Sequence, residues 1–513
     1  MKFKNPIISG FYPDPSICRV ENDFYLVNSS FEYFPGIPIF HSTDLVNWEQ
    51  IGHCLTTKEQ LPLNATPSSC GIYAPTIRYH DGTFYVVSTN VLEQGNFIVK
   101  ATNPAGPWSE PIWFENSQGI DPSLFFEDNG KCYLMGNSGN DEASGIYQVE
   151  IDANTGEYLS ERKFIWSGTG GAFPEGPHLY KIGEYYYLLI SEGGTEYGHM
   201  LTIARSKNPF GPFESYEHNP IMTHRSLEHP IQGTGHADLV QHVDGSWWVV
   251  FLAFRPIGYS PKHHLGRETF LAPVTWTDDG WPIVGDKGVI GEEISSDSIT
   301  TQQRFEWTER ENFDQPVLDQ KWLFRRNPLM ENYMLESENG GIGLMGSAEG
   351  LSETAAHTFI GRRQEHFDCV VSTSLHFNSQ ASEEAGMTVF ANEKFHYEIG
   401  LMSVEGKRKL FFRKNIGSLN VIEKSLDYDH ETIELRITAD AENYLFEAVP
   451  ITGEVIHLGI GECGLLSKEV AGGFTGNVFG LYATGNGEKS LNKAQFNWFD
   501  YKVLSSKRVA LLK

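Results

Sequence analysis

The sequence predicts an all-β protein built as a five-bladed β-propeller followed by a β-sandwich. Two observations predict the first half. One strand-turn-strand grammar recurs five times in the first 285 or so residues, and its openings, at positions 14, 74, 121, 175 and 236, stand 60, 47, 54 and 61 residues apart. A repeat of ~40–60 residues holding about four strands is the pattern of propeller blades around a central channel. The third observation concerns the rest of the chain, where β-type alternation returns from Phe313 onward without any such repeat. Unrelated hairpins in a sandwich are the competing reading of the first half, but sandwiches seldom repeat one opening five times.

The openings are Tyr12-Pro-Asp-Pro-Ser-Ile17, Tyr73-Ala-Pro-Thr-Ile77, Gly119-Ile-Asp-Pro-Ser-Leu124, Phe173-Pro-Glu-Gly-Pro-His-Leu179 and Gly233-Thr-Gly-His-Ala-Asp-Leu239. Each leads into a strand dense in aromatic and β-branched residues, from Phe24-Tyr-Leu-Val27 to Trp247-Trp-Val-Val-Phe251, often after a hairpin turn such as Asp81-Gly82 or Asp244-Gly245. These runs define a propeller over residues 1–300. A polar stretch without periodic apolar content, around 286 to 312, reads as a linker. Alternating segments such as Cys369-Val-Val-Ser-Thr-Ser-Leu-His-Phe377 and Ile433-Glu-Leu-Arg-Ile437 then predict a sandwich domain over 313–513.

Composition narrows the function. The 513 residues carry 39 Lys and Arg against 66 Asp and Glu, a net charge of −27, which repels phosphate backbones and anionic headgroups. Nucleic acid and membrane surfaces are therefore excluded as partners, and no apolar run approaches the ~18 residues of a membrane span. The opening residues lack a secretion signal and the six cysteines form no CxxC pair, which together point to reduced thiols in the cytoplasm. Self-association into a homo-oligomer is left open by the sequence.

In a propeller the innermost strand of each blade lines the axis, so equivalent positions share one cavity. Aligned on Ile17, Ile77, Leu124, Leu179 and Leu239, the residues three places earlier are Asp14, Ala74, Asp121, Gly176 and His236, with Glu175 one place before Gly176. Asp followed by Pro is also a common strand-start turn, so Asp14 and Asp121 taken singly could be punctuation. Together with Glu175 they make three carboxylates around one partly dry cavity, which push each other's pKa values apart. Hydrolysis of a sugar acetal needs that split: one protonated carboxyl beside the leaving oxygen and one carboxylate to activate water. His236 reads equally as a packing residue, a hydrogen-bonding contact or an ion ligand. Phe31 and Tyr73 are candidate platforms for a sugar face, or else pack blades together. Arg267 either holds hydroxyls and depresses a neighbouring carboxylate's pKa, or forms a surface ion pair of little worth.

The motifs Phe11-Tyr-Pro-Asp-Pro-Ser16, Gly119-Ile-Asp-Pro-Ser-Leu124, Pro174-Glu-Gly-Pro-His-Leu-Tyr180, Glu192-Gly-Gly and Leu265-Gly-Arg-Glu-Thr269 closely resemble glycoside hydrolase family 43. The similarity is greatest to its two-domain bacterial β-xylosidase and α-L-arabinofuranosidase branch and extends into a jelly-roll, concanavalin-like sandwich. The resemblance implies inverting hydrolysis with Asp14 as general base, Glu175 as general acid and Asp121 orienting the acid and tuning its pKa. It implies that Phe31, His236 and Arg267 line the pocket, with His236 near any divalent cation, such as Ca, in the channel, though no cofactor is required. It also implies that a sandwich loop reaches the site. Gly472-Gly-Phe-Thr-Gly476 matches that loop and makes Phe474 a pocket wall, where the alternative is a strand-end core residue. Two departures concern subsites: Tyr73-Ala-Pro stands where the family usually has Trp-Ala-Pro, and Met135-Gly-Asn-Ser-Gly-Asn-Asp141 lacks an aromatic that some relatives place there.

The expected activity is exo-acting release of β-D-xylose from the non-reducing ends of xylo-oligosaccharides. Release of α-L-arabinofuranose from arabinose-substituted oligosaccharides is the alternative. A sugar-binding propeller without catalysis is more remote, because a binding site gains nothing from clustered carboxylates.

Overall fold

The computed structural model describes residues 1–115, 118–138, 144–305, 308–335 and 340–504. Its first half consists of five separate antiparallel sheets, each with a four-stranded path in chain order. Their first strands are Ser16–Val20, Thr76–His80, Ser123–Phe126, Glu175–Ile182 and Gln232–Gln241. Each of these touches the next, and the fifth returns to the first, so the five sheets close a ring in a propeller-type arrangement. The aromatic strands named above are the second strands. Most are buried on both faces because neighbouring sheets stack on them: Val86 and Val87, Leu188 and Leu189, and Val249 and Val250 are inaccessible to solvent. Asp81 and Gly82 both have positive φ (45° and 78°), as a two-residue hairpin of the primed type requires.

The repeat extends to backbone conformation. Asp14, Asp121, Gly176 and His236, three places before the apolar anchor in four of the five sheets, have φ of 53°, 57°, 56° and 44°. Aspartate and histidine are among the few side chains that enter this left-handed region readily, at a cost of roughly 1–2 kcal/mol. Asp14 and Asp121 precede their ladders, whereas Gly176 and His236 fall at register shifts within theirs, so the two-residue alternation is broken at all four.

Below these openings one carboxylate ties the ring together. Asp238, wholly buried in the fifth sheet, accepts hydrogen bonds from Ser16 Oγ (2.7 Å) and Ile17 N (3.1 Å) of the first. It also accepts from Arg78 Nη1 (2.8 Å) of the second and Tyr180 OH (2.6 Å) of the fourth. Burial opposes its charge, but Arg78 and then His178 hold its pKa well below the usual range. Removing one partner of such a buried pair costs ~3–5 kcal/mol.

The segment expected as a linker is largely structured. Glu293–Ser295 pairs with the N-terminal strand Lys2–Lys4, and Ile290, Ile294 and Ile299 are buried in the propeller core. Thr308–Glu311, ahead of the expected start at 313, pairs with Lys493–Val503 in the second half. Isolated apolar residues anchor this chain at intervals too irregular to read as periodicity.

The second half is a sandwich of two antiparallel sheets. One is eight-stranded around Cys369–His376 and Lys493–Val503; the other is six-stranded around Glu384–Asn392 and Val478–Thr484. Their inner faces meet through residues such as Val371, Leu435, Phe446, Met387, Ile399 and Leu481. The sandwich is docked by backbone as well as side chains. Phe324–Arg325 pairs as a strand with Tyr33–Phe34, and Arg326 N donates to Glu32 O at 2.8 Å. Phe11, Phe31 and Tyr33 share a buried cluster with Leu323, Phe359, Phe390 and Tyr482 from the sandwich.

Candidate active site

Asp14 is buried with both carboxylate oxygens occupied. Arg267 Nη1 donates to Oδ1 at 2.8 Å and Ser29 Oγ donates to Oδ2 at 2.6 Å. This bonding is not that of a turn opener, whose carboxylate would serve its own backbone. Burial works against the charge, yet Arg267, then His236 and the Ser29 hydroxyl, outweigh it and bring the pKa below the ordinary aspartate value. Arg267, only 4 % exposed, is no surface ion pair.

Glu175 and Asp121 are shifted the other way. Burial first, and then the charge of Asp14, push Glu175 up to about 7, against Arg267 and Lys468. Asp121 is driven well above its ordinary value by burial, with Glu175 and Asp14 adding to it. Asp121 Oδ2 accepts from Gly176 N at 3.2 Å, so it grips the backbone next to Glu175. One carboxyl shifted toward its charged form thus shares the cavity with two shifted toward their protonated forms, the division that acid and base catalysis requires.

His236 packs beside this group. Its Nδ1 is 4.0 Å from Asp121 Oδ2, its backbone N donates to Ser191 Oγ at 2.6 Å, and its ring passes so near Gly176 that a Cβ there would come within 3.1 Å. Burial keeps the imidazole pKa below its usual value. A divalent cation beside His236 would draw on its imidazole and on the Asp121 carboxylate, with water completing the six to eight ligands that calcium takes. One imidazole and one carboxylate are near, and the described residues hold no group of three or more His, Cys, Asp or Glu side chains arranged for a metal.

The walls are aromatic. Phe31, Tyr73 and Phe474 form a trio with ring centroids 5.2 to 6.1 Å apart, and Arg267 stands 5.7 Å from the centroids of both Phe31 and Phe474. Phe31 is 2 % exposed, so it supports the wall more than it presents a face. Phe474 is not a strand-end core residue. Its N donates to Ser69 Oγ at 2.8 Å and its carbonyl accepts from Arg267 Nη2 at 3.4 Å, which fastens the sandwich loop across the propeller. All eight residues singled out from the sequence thus come together. The loop noted for lacking an aromatic runs beyond the described residues at 139–141.

Three residues escaped the sequence. His199, fully buried, donates from Nδ1 to Gly233 O (3.2 Å), which leaves Nε2 unprotonated and without a partner, 3.8 Å from Glu175 Oε1. Burial lowers its pKa to about 3, and a neutral ring with a free lone pair favours a protonated Glu175. Thr195 Oγ1 accepts from Arg267 Nη1 at 3.0 Å. Lys468 comes from the sandwich, donates to Thr195 O at 3.1 Å and lies 3.1 Å from Glu196. None sits at a repeat opening, so no periodic signal marked them; the Gly-rich run Glu192-Gly-Gly-Thr-Glu-Tyr-Gly-His199 was the one local hint.

Known proteins share this architecture. Residues 3–282 match the model of glycosyl hydrolases family 43, and residues 310–502 match the beta xylosidase C-terminal concanavalin A-like domain. The chain is 46 % identical over 510 residues to a non-reducing end alpha-L-arabinofuranosidase of Bacteroides ovatus, covering 98 % of this chain and 95 % of that one. A xylosidase/arabinosidase of Butyrivibrio fibrisolvens is 41 % identical over 520 residues, covering 96 % and 98 %. Among solved structures, a Bacteroides ovatus GH43B protein superposes with a TM-score of 0.94 at 44 % identity, covering 98 % of this chain and all of that one. A xylan beta-1,4-xylosidase from Bacillus halodurans gives 0.92 at 33 % identity, with the same coverage. With both domains matched and identity sustained over nearly its whole length, the chain belongs to glycoside hydrolase family 43.

Proposed function

We propose that the protein is an exo-acting, inverting glycosidase that removes one terminal pentose from the non-reducing end of short oligosaccharides, accepting both α-L-arabinofuranosyl and β-D-xylosyl units. The observation that carries this is the opposed state of two carboxyls in one cavity: Asp14 held ionised by Arg267, Glu175 keeping its proton to about 7. Glu175 gives that proton to the glycosidic oxygen as the bond to the anomeric carbon breaks. Asp14 takes a proton from a water whose oxygen bonds the same carbon from the opposite face. Asp121, through Gly176 N, holds the backbone next to the acid. Neither step calls for a metal ion.

Each of the five sheets is a blade in this reading, and the sandwich loop at Phe474 closes one end of the groove so that only a chain terminus fits. The sequence alone put xylose first. The 46 % identical relative is named for arabinofuranose and the 41 % identical one for both sugars, which supports a site that takes either, arabinofuranose the more readily. A cytoplasmic setting with imported oligosaccharides as substrates belongs to the same proposal, and six unpaired cysteines suit a reducing compartment.

The test is hydrolysis of the 4-nitrophenyl α-L-arabinofuranoside and β-D-xyloside. Turnover of both, the arabinofuranoside faster, is expected. No release from either, or from any xylo- or arabino-oligosaccharide over hours, would overturn the reading in favour of a sugar-binding propeller.

A further inference from the structure

Two residues before Glu175, Phe173 turns its ring out at the rim of the site. It is 70 % exposed and has a φ of 53°, a conformation that bulky side chains rarely adopt. Its ring lies over Gly194, where a Cβ would approach it to 3.1 Å. The next residue is Thr195, whose hydroxyl accepts from Arg267, the partner of Asp14. Phe173 thus borders the entrance on the side of Glu175.

The turn that presents this ring is braced from below. Glu192, wholly buried, accepts from the N–H groups of Thr169 (3.0 Å) and Gly171 (2.8 Å) and from the hydroxyls of Thr169 (3.0 Å) and Thr202 (2.7 Å). Gly193 N donates to Ala172 O at 2.6 Å. Gly168 and Gly171 leave no room for a side chain, since a Cβ would come within 2.6 Å of Glu192 Oε1 and Met200 Cε respectively. A lone exposed phenylalanine needs no explanation. One held in a strained backbone on a turn anchored by a buried carboxylate is a fixed display of apolar surface beside the chemistry.

We propose that Phe173 is the platform of a subsite for the leaving group, packing against the C–H face of the sugar or aryl ring that departs with the glycosidic oxygen. This rests on the acid role given to Glu175: the oxygen that it protonates belongs to the leaving ring, so that ring must extend outward past Glu175, where Phe173 stands. The terminal pentose, enclosed by Tyr73 and Phe474, does not reach it.

The experiment compares two substrates with the same terminal pentose, a disaccharide and the glycosyl fluoride, whose leaving group has no ring. Phe173→Ala should lower kcat/KM on the disaccharide about tenfold more than on the fluoride, chiefly through KM, and Phe173→Tyr should keep the wild-type ratio. Equal losses on both substrates, or a Tyr variant as impaired as Ala, would refute the platform. Should the Ala variant not fold, Phe173→Leu, apolar but without a ring, gives the same comparison. A wild-type protein inactive on both substrates would instead sink the hydrolytic reading, and the subsite with it.

Discussion

Gly266 of the propeller and Gly476 of the sandwich meet backbone to backbone beside the active site. A Cβ on Gly476 would lie 2.2 Å from Leu265 O, and one on Gly266, whose φ is +90°, would lie 2.9 Å from Gly476 Cα. Arg267 follows Gly266 directly, and Phe474, which it touches, lies two residues before Gly476. This approach sets how closely the closing loop sits on the arginine that controls Asp14.

Gly476→Ala should therefore move the Phe474 loop off Arg267. We expect kcat/KM on a disaccharide to fall at least ~10-fold, since small misplacements near the reacting atoms are costly. The rest of the interface, from Tyr33 to Tyr482, keeps the domains docked. A variant with wild-type kinetics would remove the closing role from this loop.

Arg267 has the larger effect. Arg267→Met leaves Asp14 buried without its cation, so the variant should lose ~10²-fold or more in kcat/KM and unfold at a lower temperature. The sign for Asp14 follows from the same pair: without the guanidinium its pKa rises, and the acid limb of the pH–rate profile moves to higher pH. An unmoved acid limb would mean that Arg267 does not govern the base.

The basic limb belongs to Glu175. The acid must be protonated to act, so kcat/KM should fall as pH rises through about 7. Lys468 favours the ionised form of Glu175 and so opposes its raised pKa. Lys468→Met should then shift the basic limb to higher pH, a change read from the profile alone. A shift to lower pH, or none, would contradict a sandwich residue acting on the propeller's acid.

Roles and stereochemistry can be read from products. Glu175→Ala should lose ~10²–10⁴-fold on a disaccharide but much less on an aryl glycoside whose leaving group needs little protonation. Asp14→Ala should abolish both reactions alike, because each needs an activated water. NMR of fresh product should show the inverted anomer, and the Asp14 and Glu175 carboxyl groups should stand ~6.5–9.5 Å apart to admit that water. Retained configuration, or the same leaving-group dependence in both variants, would reverse the assignment.

Much of this was legible in the chain because propeller geometry converts a sequence interval into a shared point in space. Asp14, Asp121, Gly176 and His236 could be aligned by counting back three places from an apolar anchor, and the backbone repeats at those positions even in the sign of φ. Counting failed between 286 and 312, where Ile290, Ile294 and Ile299 hold the chain to the core at uneven spacing, so that anchored chain resembled a linker.

By itself, then, the sequence determined the β class, the repeated openings and the carboxylates gathered there, since each follows from local periodicity or from a position within one repeat. Only the tertiary structure decided which carboxyl holds a proton. That depends on Arg267 meeting Asp14 across 253 residues, on Glu175 being buried beside Asp14, and on Lys468 arriving from another domain. A pKa is set by the charges and the solvent within a few ångströms, and those neighbours are brought there by the fold from positions that keep no fixed offset along the chain.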